Sequence, residues 1–219
     1  MNKNQMSQTI SLCMITKNEE KFLEQCINSV KEIVDEIIIV DTGSTDNTKN
    51  IAKKFNTKIF DFKWVDDFSA ARNESLKHAE KDWILVMDAD EIIEKNDLDK
   101  IKNSIENTND FVGFSLEQRS YINNFFEGAV KNNSDFELVK NYPFYIPHHL
   151  VRLFKNKLGL YFKNRVHELI EDSIIAKNLK YKKPDVVLHH FGSLKNENLI
   201  SDKTEQYSKI ILKQLEEEP

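Results

Sequence analysis

Long apolar runs, arginine, cysteine and dense basic blocks are all scarce in this chain, and each shortage removes a class of function. Nowhere do 18 apolar residues follow one another, so no segment reads as a membrane-spanning helix. The first residues, Met1 to Gln8, are polar and lack the apolar centre of a secretion signal. A soluble, cytoplasmic protein is the expectation. Peripheral attachment at the inner face of a membrane stays open, because no strong amphipathic stripe decides it. The two cysteines, Cys13 and Cys26, fall in an apolar strand-like run and on the apolar side of a helical pattern, where reduced core thiols belong. The 31 basic residues are scattered, mostly lysine, and outnumbered by 36 acidic ones; no basic block is interleaved with aromatics, so nucleic acid is not an expected partner. Only Arg72, Arg119, Arg152 and Arg165 are arginines, which makes each a better candidate for a specific anion contact than any one lysine. No internal repeat is evident, and nothing in the sequence bears on oligomeric state.

What is present is a globular composition, 40% hydrophobic over 219 residues, enough for one core and a small appendage. From Thr9 to Asp90 short apolar runs alternate with helical patterns. Ile10 to Ile15 reads as a buried strand, and Asn18 as the N-cap of a helix with Glu19 and Glu20 in its first turn. Phe22, Leu23, Cys26, Ile27 and Val30 then mark one helical face. Glu36 to Val40 is a second strand, ending in the turn-rich Asp41-Thr42-Gly43-Ser44-Thr45-Asp46 before a helix through Ile51, Ala52 and Phe55. Lys58 to Phe62 and Trp83 to Met87 are further strands, separated by a helix over Phe68 to Ala79. This alternation predicts a mainly parallel sheet flanked by helices, with function at the strands' carboxyl ends. Beyond Asp97 a helix runs through Leu98, Ile101 and Ile105, and Phe111 to Leu116, Leu150 to Phe154, Tyr161 to Phe162 and Val186 to His190 read as strands. Asn123 to Tyr145 reads as an irregular, aromatic and Asn-rich substrate loop. The tail from Ser201 to Leu215 is helical, and its Glu-rich end suggests that more sequence follows.

The most informative stretch is Trp83-Ile84-Leu85-Val86-Met87-Asp88-Ala89-Asp90-Glu91, an apolar strand ending in three carboxylates. On an extended strand, residues i and i+2 share a face. Asp88 and Asp90 are therefore expected to point together out of the strand end, where two hard oxygen ligands can hold a divalent cation against a phosphate. The same residues could serve merely as helix caps. The apolar strand feeding into them, Glu91 beside them and Asp41 one strand away favour a metal and nucleotide site. Among the aromatics, Phe60, Phe62, Phe68 and Trp83 are expected in the core, with only Trp64 near a ligand. Five of the six histidines lie between His148 and His190. His189 and His190 end a strand and so face opposite sides; only one can enter a site.

Four motifs in order, Leu12-Cys13-Met14-Ile15-Thr16-Lys17-Asn18-Glu19-Glu20, Val34 through Thr48 with its Asp41-Thr42-Gly43-Ser44 turn, Ala70-Ala71-Arg72-Asn73 and Asp88-Ala89-Asp90-Glu91, resemble a family 2 glycosyltransferase of the GT-A fold. Val151-Arg152-Leu153-Phe154, Val166-His167-Glu168 and His190-Phe191-Gly192 resemble elements of bacterial members, including those with tetratricopeptide repeats after the catalytic domain. The resemblance implies an α/β GT-A catalytic domain over residues 1–195, with a nucleotide-sugar half at 9–95 and an acceptor half at 110–195. Residues 196–219 would form a C-terminal helix leading toward repeats. The implied activity is metal-dependent, inverting hexosyl transfer from a nucleotide diphosphate sugar, UDP-linked in this case, to a glycan, a lipid-linked sugar or a peptide. Thr16, Lys17, Asn18 and Asp41 would hold base and ribose, since a carboxylate can accept the uracil N3 proton. Arg72 would approach the base or diphosphate. Asp88, with Ala89 beside it, would serve the ribose or a metal-bound water, and Asp90 and His190 would bind Mn2+ or Mg2+. Glu168 would be the general base. Arg152 would clamp donor or acceptor, or pair with an acid, and Tyr121 to Tyr145 would supply the acceptor platform.

Two other classes remain beside this one. Nucleotidyl transfer to a sugar phosphate usually needs a Gly- and Arg-rich loop after the first strand, and Thr16 to Glu20 contains no glycine. A non-catalytic nucleotide-sugar-binding protein would keep the donor half without a working base.

Overall fold

In the computed structural model, residues 7–108, 110–192 and 207–215 are described. Strands β1 (Ile10–Thr16), β2 (Glu36–Asp41), β3 (Lys58–Asp61) and β4 (Trp83–Val86) alternate with helices α1 (Leu23–Val30), α2 (Thr48–Lys53) and α3 (Phe68–Lys77). Runs such as Ile37-Ile38-Ile39-Val40 suit strands covered on both faces, and β2 is buried throughout. The four strands pair in parallel in the order β3-β2-β1-β4. Thr16 lies opposite Asp41 and Cys13 opposite Val86, so the chain leaving β4 continues beside the end of β1.

The remaining elements are β5 (Glu91–Ile93), α4 (Lys95–Glu106), β6 (Gly113–Ile122), β7 (Val130–Lys131), β8 (Phe144–Lys155), α5 (Glu171–Ala176), β9 (Tyr181–Lys182) and β10 (Val187–His190). The sheet runs β3-β2-β1-β4-β8-β6-β10-β5, with β7 on β8 and β9 on β6. β8 is antiparallel to both β4 and β6, because β6 and β8 are joined without a crossover helix. β10 is parallel to β6 and antiparallel to β5. The parallel pattern thus holds for the first half, and the second half is mixed. Helix α6, residues 207–215, packs back onto α3, with Ile210 buried and the Tyr207 ring edge-on to Phe68 at 5.4 Å. No helix among the described residues is long and apolar enough to cross a membrane.

The period of two along β1 sorts the core onto both sheet faces. Leu12 and Met14 pack with Leu23, Ile27 and Val30 of α1 and with Leu98, Ile101 and Ile105 of α4. Cys13, on the other face, packs with Ile38, Val86, Phe162, Ile170 and Ile174. Both cysteines are free and buried, and burial pushes the Cys13 thiol up to about 12.

Several local expectations change. Asn18 does not cap α1, whose N-cap is Phe22 with no side-chain bond. Instead Asn18 sits at φ 56° and its Oδ1 accepts from the Thr45 amide at 2.8 Å, tying the loop after β1 to the loop after β2. Tyr161 and Phe162 form no strand: their amides donate to Ser173 Oγ and Asn73 Oδ1, which leaves none for a ladder. The 123–145 stretch is less irregular than expected. It holds β7 and the start of β8, and Asn132 Nδ2 donates to the carbonyls of Val139 and Tyr142. Tyr121 is no platform residue, since it is fully buried with its hydroxyl 2.6 Å from His189 Nδ1. The boundary at residue 195 and residues 196–206 and 216–219 of the expected tail lie outside the described residues.

Candidate active site

The carboxyl ends of β1 and β2 are locked together by polar side chains. Asp41, 1% exposed, accepts from the amides of Gly43 and Ser44 on Oδ1 and from Thr16 Oγ1 on Oδ2 at 3.3 Å. Burial opposes its ionisation, but the hydrogen bonds from Ser44 and Gly43 outweigh it and hold the carboxyl below its usual range. Gly43 sits at φ 110°, a backbone region that a residue with a Cβ rarely enters, which explains glycine at this turn.

Asp88, Ala89 and Asp90 lie in a turn after β4 rather than on the strand, closed by the Glu91 amide donating to the Asp88 carbonyl at 3.1 Å. The shared strand face predicted for the two aspartates is therefore not what places them. The turn is held from below by Glu91, which is fully buried and whose Oε2 accepts from the Asp88 amide at 2.7 Å. Glu91 Oε1 accepts from Gln118 Nε2 at 2.5 Å and Arg152 Nη2 at 3.1 Å. Burial raises the Glu91 carboxyl to about 8 against the pull of Arg152.

Asp88 accepts from two guanidinium groups, Arg72 Nη2 at 2.8 Å and Arg152 Nη2 at 3.3 Å. Burial works against its charge, but Arg72 and Arg152 override that and keep it well below the usual carboxylate range. Arg72 also donates from Nε to Glu168 Oε1 at 2.6 Å, with Phe162 facing its guanidinium at 5.8 Å. Arg72, expected on the base or diphosphate, thus bridges Asp88 and Glu168. Arg152 pairs with the buried Glu91 and the half-buried Asp88, not with surface acids. Arg72 Nη1 and Arg152 Nε are buried with no hydrogen-bond partner among the described residues.

His190 and His189 face opposite sides. His189 is buried between Tyr121 and Glu94, whose Oε1 is 3.0 Å from its Nε2, and burial lowers it to about 4. His190 turns toward Asp90, with Nε2 3.7 Å from Asp90 Oδ1, while Ser120 Oγ lies 2.9 Å from its Nδ1. Gly192 closes over the pair: a Cβ there would stand 2.5 Å from His190 Nε2 and 3.2 Å from Asp90 Oδ2. Among the described residues no group of three or more metal-binding side chains converges.

Glu168 is carried by a short loop pinned where Lys163 and Leu169 exchange backbone hydrogen bonds, with His167 at φ 56°. It faces a cavity of about 540 Å³ that Thr16, Lys17, Asp88, Ala89, Asp90 and His190 also line, together with Arg72 and Arg152. Trp64 and His148 reach it as well. Asn18, which is exposed, and Asp41, which is buried, do not line it. Sequence reasoning missed Gln118 and Tyr207, and placed Gly192 in the His190-Phe191-Gly192 motif without giving it a role. Gln118 sits in an ordinary strand pattern, and nothing in the helical periodicity of 207–215 sets Tyr207 apart from a packing residue.

Comparison with known proteins agrees with this geometry. The description Glycosyl transferase family 2 matches residues 11–166. A TPR repeat-containing protein of Synechococcus elongatus is 33% identical over 189 residues, covering 84% of this chain and 42% of its own length. An uncharacterized glycosyltransferase of Rickettsia conorii is 31% identical over 175 residues, covering 80% of this chain and 57% of that protein. The chain therefore spans about half the length of these relatives. Among solved structures, the mannosyltransferase PcManGT from Pyrobaculum calidifontis, in complex with GDP-Man and Mn2+, superposes with a TM-score of 0.59 at 17% identity over 85% of this chain and 57% of that one. S. aureus TarS does so with a TM-score of 0.53 at 19% identity, over 84% and 60%. These likenesses show the fold, the GT-A arrangement of nucleotide-sugar transferases. By sequence, the chain belongs to glycosyl transferase family 2.

Proposed function

We propose that this chain transfers a sugar, with inversion, from a uridine diphosphate donor to a nucleophile on a glycan, a lipid-linked sugar or a peptide, assisted by a divalent cation. The observation that carries the reading is the single cavity shared by the ends of β1 and β4, Asp90 with His190, and Glu168. Residues 9–95 would hold the donor and 110–195 the base and acceptor. Thr16 and Lys17 would seat the base and ribose at one end. Asp41 does not line the cavity; its Oδ2 accepts from Thr16 Oγ1 at 3.3 Å, so Asp41 would act by holding Thr16 toward the base. It would itself accept the uracil N3 proton only with the Thr16 side chain turned aside. Arg72 Nη1, buried without a partner among the described residues, is a donor suited to a diphosphate oxygen.

Asp90 and His190 would hold a cation such as Mn2+ or Mg2+, since a carboxylate oxygen and an imidazole nitrogen 3.7 Å apart are donors that suit it. When bound, the cation would offset the charge that develops on the departing diphosphate. In the transfer, the acceptor nucleophile bonds to the anomeric carbon while that carbon's bond to the diphosphate oxygen breaks and the electron pair leaves with the nucleotide. Arg72 occupies Glu168 Oε1, so the acceptor's proton passes to Oε2. PcManGT, solved with GDP-Man and Mn2+, supports a nucleotide-sugar and metal chemistry for this fold.

Replacing Asp90 with Ala is expected to lower Mn2+-dependent hydrolysis or transfer of UDP-sugars by at least about 100-fold, with the melting temperature little changed. Parental turnover in that variant would rule the assignment out. The Arg72–Glu168 ion pair favours a second reading, a nucleotide-sugar-binding protein that does not transfer, because the base is already paired. Mn2+-dependent UDP binding without donor turnover across a panel of acceptors would select that reading.

A further inference from the structure

Helix α6 lies beyond the region that matches the family, yet it returns to the cavity. Its place is fixed at three points: Tyr207 on Phe68, Ile210 in the core, and Gln214 Oε1 accepting from the Arg165 amide at 3.0 Å. Arg165 belongs to the same short loop as Glu168, so the helix and the proposed base are positioned together. Trp64, Phe68 and Tyr207 all line the cavity and form a chain of edge-to-face rings, with Trp64 4.8 Å from Phe68 and Phe68 5.4 Å from Tyr207. Part of the cavity wall is therefore aromatic.

A diphosphate held at Asp88 to Asp90 and an acceptor deprotonated at Glu168 leave the donor's sugar between them. A sugar ring has apolar C–H faces and a polar rim, and a tyrosine can meet both, with its ring and its hydroxyl. We propose that Tyr207, backed by Phe68, forms the surface against which the transferred sugar rests, and so helps select which sugar is accepted. The phenol suits this as a neutral donor. Burial raises its pKa, and the carboxylates of Asp88 and Glu168 raise it further, so it keeps its proton at neutral pH.

The inference rests on the donor reading above, and the test separates the two. Calorimetric titrations of the full chain with Mn2+ would compare UDP with UDP-glucose and UDP-N-acetylglucosamine, and GDP with GDP-mannose, for the wild type, Tyr207→Leu and Tyr207→Phe. Leu keeps bulk for packing on Phe68. For the sugar nucleotide that binds the wild type tightest, Tyr207→Leu is expected to lose about tenfold in affinity while the bare nucleotide changes less than about twofold. Tyr207→Phe, which keeps the ring, should recover most of the loss. Equal weakening of nucleotide and sugar nucleotide, no weakening, or no recovery in Tyr207→Phe would each overturn the inference alone. A wild type that binds none of these ligands would overturn the donor reading, and the inference with it.

Discussion

At Gly192 a single methyl group would collide with the imidazole that faces Asp90, because the added Cβ would stand 2.5 Å from His190 Nε2. The ring would have to swing away, and the 3.7 Å relation between His190 and Asp90 would be lost. His190 borders the cavity and can move into it, so the fold should tolerate the change, with stability altered by less than about 1 kcal/mol. Gly192→Ala is therefore expected to weaken Mn2+-dependent UDP binding by about tenfold or more while UDP binding in EDTA stays as in the wild type. Unchanged Mn2+-dependent affinity in calorimetry would count against His190 as a ligand. At this scale much of the cavity's lining was legible. Asp90, His190, Thr16 and Lys17 are polar residues at strand ends, where side chains project into a shared edge. Glu91's role as the post beneath the turn, and Arg72's double pairing with Asp88 and Glu168, were not legible. Both depend on contacts between segments far apart in sequence, Arg72 to Glu168 and Glu91 to Arg152, which no local pattern encodes.

Among the elements, β2 begins with a carboxylate that ties three others together. Glu36 accepts from Ser11 Oγ of β1 at 2.6 Å, from Lys58 Nζ of β3 at 2.6 Å and from the Glu80 amide ahead of β4 at 3.0 Å. Burial opposes its charge, but the bonds from Glu80, Lys58 and Ser11 outweigh that and lower its pKa. Its folded pKa lies below its unfolded one, so the unfolded chain binds the proton more tightly. The stabilisation is present above the unfolded value near pH 4.5 and is lost as pH falls through the folded one. Glu36→Gln is expected to cost about 2 kcal/mol at pH 7 and less at pH 3.5, read from urea midpoints at both pH values. A cost that is the same at both would show that the carboxylate's charge is not what matters. The parallel strands that Glu36 joins were readable from alternating apolar runs and helical faces. The false strand at Tyr161 and Phe162 looks the same as a true one in composition. It fails because Asn73 and Ser173, distant in sequence, take its amides. Asn18 has the composition of a cap, but Thr45 gives its side chain a better use than the first turn of α1.

Over the whole molecule, the parallel first half and the mixed second half meet along β4 and β8, and Arg152 is one of the charges that join them. It rises from β8, is almost fully buried, and binds Asp88 and Glu91 beyond the end of β4. A buried cation between a buried and a half-buried acid adds little relative to a well-packed apolar substitute, but removing one member leaves charge without compensation. Arg152→Leu should therefore lose about 3–5 kcal/mol, a fall in melting temperature on the order of 10 °C for a chain of this size. Above about pH 8, where the raised Glu91 carboxyl is ionised, the loss should come mainly from Glu91, since Asp88 keeps its bond to Arg72. If so, adding Glu91→Gln to Arg152→Leu should restore at least about 1 kcal/mol, although Glu91→Gln alone is destabilising; such coupling is expected for residues in direct contact. The four proteins of this double-mutant cycle can be compared by urea unfolding at about pH 9, above the raised Glu91 value. Strictly additive losses would mean that Arg152 holds the halves together by packing alone, and the ionic seam would then contribute nothing to how the two halves stay joined around the cavity.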